Sequence, residues 1–266
     1  MSRKRTLLPD VYKSKKRVCS GPRPGPEGEN SAWADNDRMD TSELSDTKAA
    51  LLYMKSIFPE DKFGGRLPPI IMKHQIYSII KNKTTVDKEV NDLRSNGQVR
   101  MFKLGAENDE FCLVDTSDYK EHVHQHVAQL GITGPVIDKF LDKVLGESQE
   151  LCLSKEALME DFKFKDEEIT QLVKASVLTV RDVGSWWMAI PYAGTFMKSF
   201  VRGRKAVLMM IRKCKFKEML YRELMKRKLP KVAKLGMEYH LHDIIGADLV
   251  DCVQTTSGQL LRLSES

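Results

Sequence analysis

One pattern returns three times along this chain and limits what it can fold into: amphipathic helices, then a strand, a tight turn and a second strand. Its landmarks, LRSNGQVRMFKL, LVKASVLTVRD and DIIGADLVDCV, are spaced by about seventy to eighty residues. That period is too long for a solenoid repeat and suits small domains in tandem. In the first copy, DTKAALLYMKSIF, PPIIMKHQIYSII and TTVDKEVNDLRS read as helices. Thr84 or Thr85 is the expected N-cap of the third, and Asn96-Gly97 its end. QVRMFKL then alternates as a strand, AENDE turns the chain, and FCLVD returns. The second copy runs through GPVIDKFLDKVL, SKEALMEDF and DEEITQLVKAS to VLTVRD, the turn VGS and WWMAIP. The third has a long helix over about 195–213, then KEMLYRELMKR, GMEYHLHDIIG, and LVDCVQT and QLLRL around TSG. Three helices followed by a two-stranded hairpin are the plan of a helix-turn-helix with a wing. The pattern therefore predicts a mainly α chain with short β-hairpins (α+β), arranged as three tandem winged-helix domains over 44–119, 120–194 and 195–266.

Residues 1–43 hold GPRPGPEGENS and too few apolar side chains to offset the entropy of ordering, so they read as a disordered tail. Its two basic clusters, Arg3, Lys4 and Arg5, then Lys13, Lys15, Lys16 and Arg17, read as a two-part nuclear-localisation signal. Nothing in the sequence approaches the ~18 apolar residues of a membrane span, and no apolar run follows the first charges to make a secretory signal. The five cysteines are scattered without a CxxC pair, which points to reduced thiols in a nuclear or cytosolic setting and away from structural zinc.

The net charge is only +6, but its distribution is uneven. The stretch 120–196 is net acidic, whereas 197–234 carries a dense run of lysine and arginine against only Glu218 and Glu223. On a helix over Thr195 to Cys214, Lys198, Arg202, Lys205, Arg212 and Lys213 fall within one arc of about 120°. Met197, Phe200, Val201, Val207, Leu208 and Ile211 are expected opposite, facing a core. Arg204 lands among the apolar positions, where its stem is expected to snorkel outward, and Gly203 is expected to mark a local break. The charged arc lacks compensating acids at i,i+4, and phosphate is the usual partner of such a footprint. Lys215 and the cluster Lys226-Arg227-Lys228 extend it. These contacts position a DNA backbone and read no bases. In GMEYHLHDII, Tyr239, His240 and His242 are the side chains able to touch a groove, while Glu238 and Asp243 oppose phosphates, so the third domain is expected to present its earlier helices instead.

Other constellations are weaker. His122, His124 and His126 lack a completing ligand and read as a surface histidine cluster. Trp186-Trp187 alternate in a strand, one toward the core and one under a neighbouring element, with base stacking the lesser reading. A protein kinase needs a Gly-rich loop, a strand lysine and two separate catalytic aspartates. Here Val180-Arg181-Asp182 and Asp182-Val183-Gly184 overlap on one aspartate, so no enzymatic activity and no cofactor are expected.

At LTVRDVGSWWMAIPYAG, the basic helix and LGMEYHLHDIIGADLVDCVQTTSGQLLRL, the chain resembles the serine/threonine-protein kinase 19 family, a likeness extending from about Leu51. Despite that historical name, the resemblance implies winged-helix DNA-binding proteins. It further implies a nuclear adaptor in transcription-coupled nucleotide excision repair, bridging stalled RNA polymerase II, the Cockayne-syndrome A ubiquitin-ligase subunit and TFIIH. By the same resemblance, Lys198, Arg212 and Arg227 are the DNA-contacting positions, and homodimerisation is allowed. The competing readings are an atypical kinase and a pure protein-interaction scaffold.

Overall fold

The computed structural model describes residues 45–105, 110–131 and 134–264. The basic clusters Arg3, Lys4, Arg5, Lys13, Lys15, Lys16 and Arg17 therefore lie outside the described residues. The rest is mixed α+β with small antiparallel sheets.

The first module contains α1 (Asp46–Ser56), β1 (Ile71–Met72), α2 (Lys73–Ile79), α3 (Lys83–Ser95), β2 (Val99–Leu104) and β3 (Glu110–Asp115). Helix α1 starts where Ser45 Oγ accepts from the Lys48 amide. Helix α3 starts at Asn82, whose side chain accepts from the Thr85 amide at 3.2 Å. Neither Thr84 nor Thr85 is thus the cap; Asn82 precedes them and already satisfies the free amide. The helix ends at Asn96 as expected, with Gly97 at φ 69°. PPIIMKHQIYSII is not wholly helical, because Pro68 and Pro69 hold the chain extended until Lys73.

The second module opens with a helix not anticipated from sequence, α4 (Thr116–Leu130), capped by Asp115, which accepts from the Ser117 amide at 2.9 Å. It continues with α5 (Gly134–Lys139), a π-helical segment into α6 (Leu145–Glu147), β4 (Cys152–Ser154), a π turn, α7 (Asp166–Lys174), β5 (Leu178–Asp182) and β6 (Ser185–Met188). The third module is α8 (Ala193–Arg212), β7 (Glu218–Leu220), α9 (Tyr221–Met225), α10 (Met237–Gly246), β8 (Val250–Thr255) and β9 (Gly258–Leu263). KEMLYRELMKR accordingly begins as strand and only then becomes helix.

Each sheet has three strands, in the orders β1-β3-β2, β4-β6-β5 and β7-β9-β8, all antiparallel. This corrects the two-stranded hairpin expected for each copy. The extra strands pair in the registers Met72↔Cys112, Leu153↔Trp186 and Met219↔Leu261. At two or three residues they are too short to show alternation, and only the distant partner makes them strands.

One hydrophobic core runs through the first two modules and takes in Phe196 and Phe200 of α8 and Tyr239 of α10. A smaller core holds Val207, Ile211, Met219, Leu241, Ile244 and Leu261. Helix α8 therefore contributes its first half to one core and its second half to the other. Helix α10 lies between α8 and α2: Tyr239 donates its hydroxyl to Ile70 O at 2.7 Å, and its own carbonyl accepts from Gln75 Nε2 at 2.9 Å. Two glycines permit this approach. A β-carbon on Gly246 would sit 1.9 Å from the His74 carbonyl oxygen, and one on Gly203 the same distance from His240 Nε2. The break expected at Gly203 does not occur; α8 is continuous, and the residue is small because the His240 ring lies against it.

Arg204 does not snorkel outward either. Its guanidinium donates to Asp243 Oδ2 and Oδ1 at 2.8 and 2.6 Å and to Glu110 Oε1 at 2.5 Å, while His74 Nε2 meets Asp243 Oδ1 at 2.6 Å. Burial pushes the Asp243 carboxyl up, but Arg204 and His74 hold it below the usual carboxylate range. Val201, expected to face the core, is 51% exposed, since it lies only 60° from Lys198 on the helical wheel. Tyr239 and His240, expected within reach of a groove, are fully buried.

Removing Arg204 takes from the buried Asp243 carboxylate the partner that clasps both its oxygens, leaving His74 alone against it. Arg204→Leu should cost about 3–5 kcal/mol in urea unfolding, and Arg204→Met with Asp243→Leu should recover part of that; a loss below about 1 kcal/mol would show that the pair does not hold the helices. His240 gives a pH signature. Burial lowers its imidazole to about 4, so the folded state keeps it neutral while the unfolded chain protonates near 6.5. The unfolded state then binds the extra proton, and stability should fall as pH drops from about 6.5 to about 4, by about 3 kcal/mol from this residue. Denaturation across that window should show a shallower slope for His240→Leu, which keeps the volume and removes the titration.

Candidate nucleic-acid interface

The basic face of α8 follows from how that helix is held. Phe196, Ser199, Phe200, Gly203, Val207 and Ile211 are buried, which fixes the rotation of the helix about its axis. At 100° per residue, Lys198, Arg202, Lys205 and Arg212 must then point to solvent, and all four are exposed, as are Lys213 and Lys215 beyond them. The row is about 22 Å long from Lys198 to Lys213 at 1.5 Å per residue. None of these side chains has an acidic partner within ion-pair distance among the described residues, whereas Arg204, on the inward side, has two.

A second basic segment is tied to the first. Ser199 Oγ, buried beside Lys198, accepts from the Lys234 amide at 2.7 Å and so anchors the loop that follows α9. That loop carries Arg227, Lys228 and Lys231, all exposed. Together with Lys234 and with Lys62 of the first module, they line one open groove. Lys62 was missed by reasoning along the sequence, because it sits in an isolated turn (Glu60–Phe63) far from the basic run. Lys234 extends over the Phe63 ring at 5.2 Å, which draws that turn toward the loop.

Other candidates fall elsewhere. Of the three α10 side chains considered for a groove, Tyr239 and His240 are buried, and His242 is engaged with Ser78 Oγ at 2.7 Å. Glu238 accepts from the Tyr53 hydroxyl at 2.6 Å, so it faces α1. On α3, Lys88 is exposed, but Arg94 donates to the Gln149 carbonyl at 3.1 Å and joins the first two modules. The acidic α7 buries Ile169 and Leu172. His126 is no surface histidine: it is 8% exposed and edge-on to Tyr192 at 4.8 Å, and burial lowers its pKa. His122 contacts the Asp118 carbonyl at 2.9 Å, and His124 faces Asp138 at 3.7 Å. Trp186 packs on the core, while Trp187 is half-buried, sits in the middle strand of its sheet between Cys152 and Thr179, and has Arg181 and Lys103 over its ring at 4.8 and 5.3 Å. Asp182 is exposed at the end of β5 and paired with Arg181 at 3.3 Å. It lines a groove between β2, the β5–β6 hairpin and the start of α8, with no second carboxylate among the described lining residues.

Residues 45–263 match the protein family described as inactive serine-threonine protein kinase 19. Among curated proteins, winged helix repair factor 1 of Homo sapiens is 41% identical over 260 residues, covering 98% of this chain and 97% of that protein. The Xenopus laevis protein of the same name is 41% identical over 268 residues, and that of Mus musculus 40% over 267, each covering 100% of both chains. The chain belongs to the inactive serine-threonine protein kinase 19 family, whose relatives at this level of identity are named winged helix repair factors.

Proposed function

We propose that this chain is a nuclear, non-enzymatic DNA-binding protein made of three winged-helix domains, acting as an adaptor in DNA repair. The repeated order of helix, short strand, two helices and hairpin supports the winged-helix reading. The observation that carries the DNA-binding reading is the row of exposed cations on α8, which has no acidic partner among the described residues. Duplex DNA presents one charge per ~1.7 Å, and a helix holding such a row outward releases condensed counterions when it docks. Lys198, Arg202, Lys205, Arg212, Lys213, Lys215 and Arg227 are its contacts, with Lys62 and Lys231 flanking them. All are phosphate-type contacts, so binding is largely indifferent to sequence. The helix that usually reads the major groove, α10 in the third module, packs on α2, which supports docking through α8 instead.

The non-enzymatic reading is supported by the family description and by Asp182, the one carboxylate among the described residues lining its groove, where phosphoryl transfer needs two. The finer role is transcription-coupled nucleotide excision repair, with stalled RNA polymerase II, the Cockayne-syndrome A ubiquitin-ligase subunit and TFIIH as partners and the remaining modules as their docking surfaces. It rests on the resemblance and on the relatives' names.

Fluorescence anisotropy of a labelled random duplex over a salt series tests the DNA-binding core of this reading. Charge reversal at Lys198, Arg212 and Arg227 should weaken binding by roughly tenfold or more and reduce the log–log salt slope by about three. Unchanged affinity in the folded triple mutant would rule the site out, and negligible wild-type binding at physiological salt would leave a protein-interaction scaffold.

A further inference from the structure

Phe216 is 73% exposed, and no other Phe, Tyr or Trp among the described residues is more so. It sits in the 3-10 turn Lys215–Lys217, which connects the end of α8 to β7, and its backbone is left-handed at φ 62°, ψ 11°. Lys217 follows at φ 54°. Two consecutive side-chain-bearing residues in this region are uncommon; glycine or asparagine is the usual occupant after a helix. The turn is not loose. Ile211 before it and Met219 after it are buried, the Lys217 amide donates to the Cys214 carbonyl at 3.1 Å, and Glu218 is held in register with Arg262. A fixed framework thus holds an apolar ring in solvent on a strained backbone, at some cost in stability.

The surroundings say what such a ring meets. Arg212 and Lys213 precede it, Lys215 and Lys217 flank it, and Lys215 Nζ lies 5.0 Å from the ring centroid. The adjoining acid, Glu218, is neutralised by Arg262 at 2.9 and 3.0 Å. A protein hot spot would be ringed by apolar surface depleted of charge. An aromatic ring set among cations matches a nucleobase beside its phosphates. Bases inside an intact duplex are stacked on one another and offer no free face, whereas unpaired bases do.

We propose that Phe216 is a base-stacking contact, so that the basic face of α8 engages DNA preferentially where a base is unpaired. This rests on the DNA-binding reading above and adds a preference for DNA structure to it. Backbone contacts alone supply no such preference.

The test compares an intact duplex with the same duplex carrying a short central unpaired bubble, using the full chain and anisotropy, with 2-aminopurine in the bubble as a direct reporter of stacking. The wild type should bind the bubble more tightly. Phe216→Ala should lose about 5- to 100-fold on the bubble with little change on the duplex, and abolish the 2-aminopurine response; Phe216→Trp should retain both. Phe216→Gly, which suits the left-handed backbone, should bind like Phe216→Ala while melting no lower than wild type, which separates lost contact from lost fold. Wild-type preference unchanged in Phe216→Ala, or an equal loss on both probes, would overturn the stacking contact and leave the phosphate-binding face standing. Binding of neither DNA by the wild type would overturn the basic face itself, and the stacking contact with it.

Discussion

Much of this structure depends on one buried carboxylate. Asp243 on α10 is fully enclosed, and it stays ionised because Arg204 of α8 clasps both oxygens while His74 of α2 reaches one of them. Glu110 of β3 accepts from the remaining guanidinium nitrogen, and the Phe200 ring lies against that group at 4.5 Å. Four elements, distant in sequence, must therefore arrive in register to satisfy one charge. Buried ion pairs often add little net stability, but a misregistered arrangement strands a charge in apolar surroundings, which is the more severe penalty. The cluster thus acts chiefly as a registry device, and Gly203 and Gly246 let α10 approach α8 and α2 more closely than a β-carbon would allow.

The outward face of α8 goes with that packing. With Phe196, Phe200, Val207 and Ile211 directed inward and Arg204 at the edge of their face, the 100° step leaves Lys198, Arg202, Lys205 and Arg212 on the far side from the core. The same packing consumes α10, whose Tyr239 and His240 are committed to the core. An inward arginine and an outward row of cations on one helix are two results of the same rotation, and the difference between them is whether an acid lies within reach.

What was legible in the sequence follows from what is local. The long helices show in their periods, and the exposed row on α8 could be read because both its charges and its spacing lie within one segment. The strands β1, β4 and β7 could not, since a run such as Ile71-Met72 is a strand only by virtue of Cys112 and Leu113 opposite. Arg204 and Gly203 were misjudged for the same reason: a wheel shows an odd residue on an apolar face without showing Asp243 or the His240 ring beyond it. Val201 is a different case, because its exposure was available from the 100° step alone and its apolar character suggested otherwise. Lys62 joins the basic loop only through tertiary contact, and no pattern along the chain marks it.

Unrelieved like charge has an energetic corollary. Lys198 and Arg202 stand at i,i+4 and Arg202 and Lys205 at i,i+3, so like charges repel along this face and α8 carries a local destabilisation that grows as salt falls. The helix tolerates this because its buried face is anchored in both cores, by Phe196 and Phe200 at one end and by Val207 and Ile211 at the other. A polyanion docked on the row would remove the repulsion and, by binding only the folded chain, stabilise it by mass action. The strained turn at Phe216 belongs to the same economy: the fold tolerates a charged, partly strained edge at the end of α8 because the Arg204–Asp243 lock and the two cores hold everything beneath it in place.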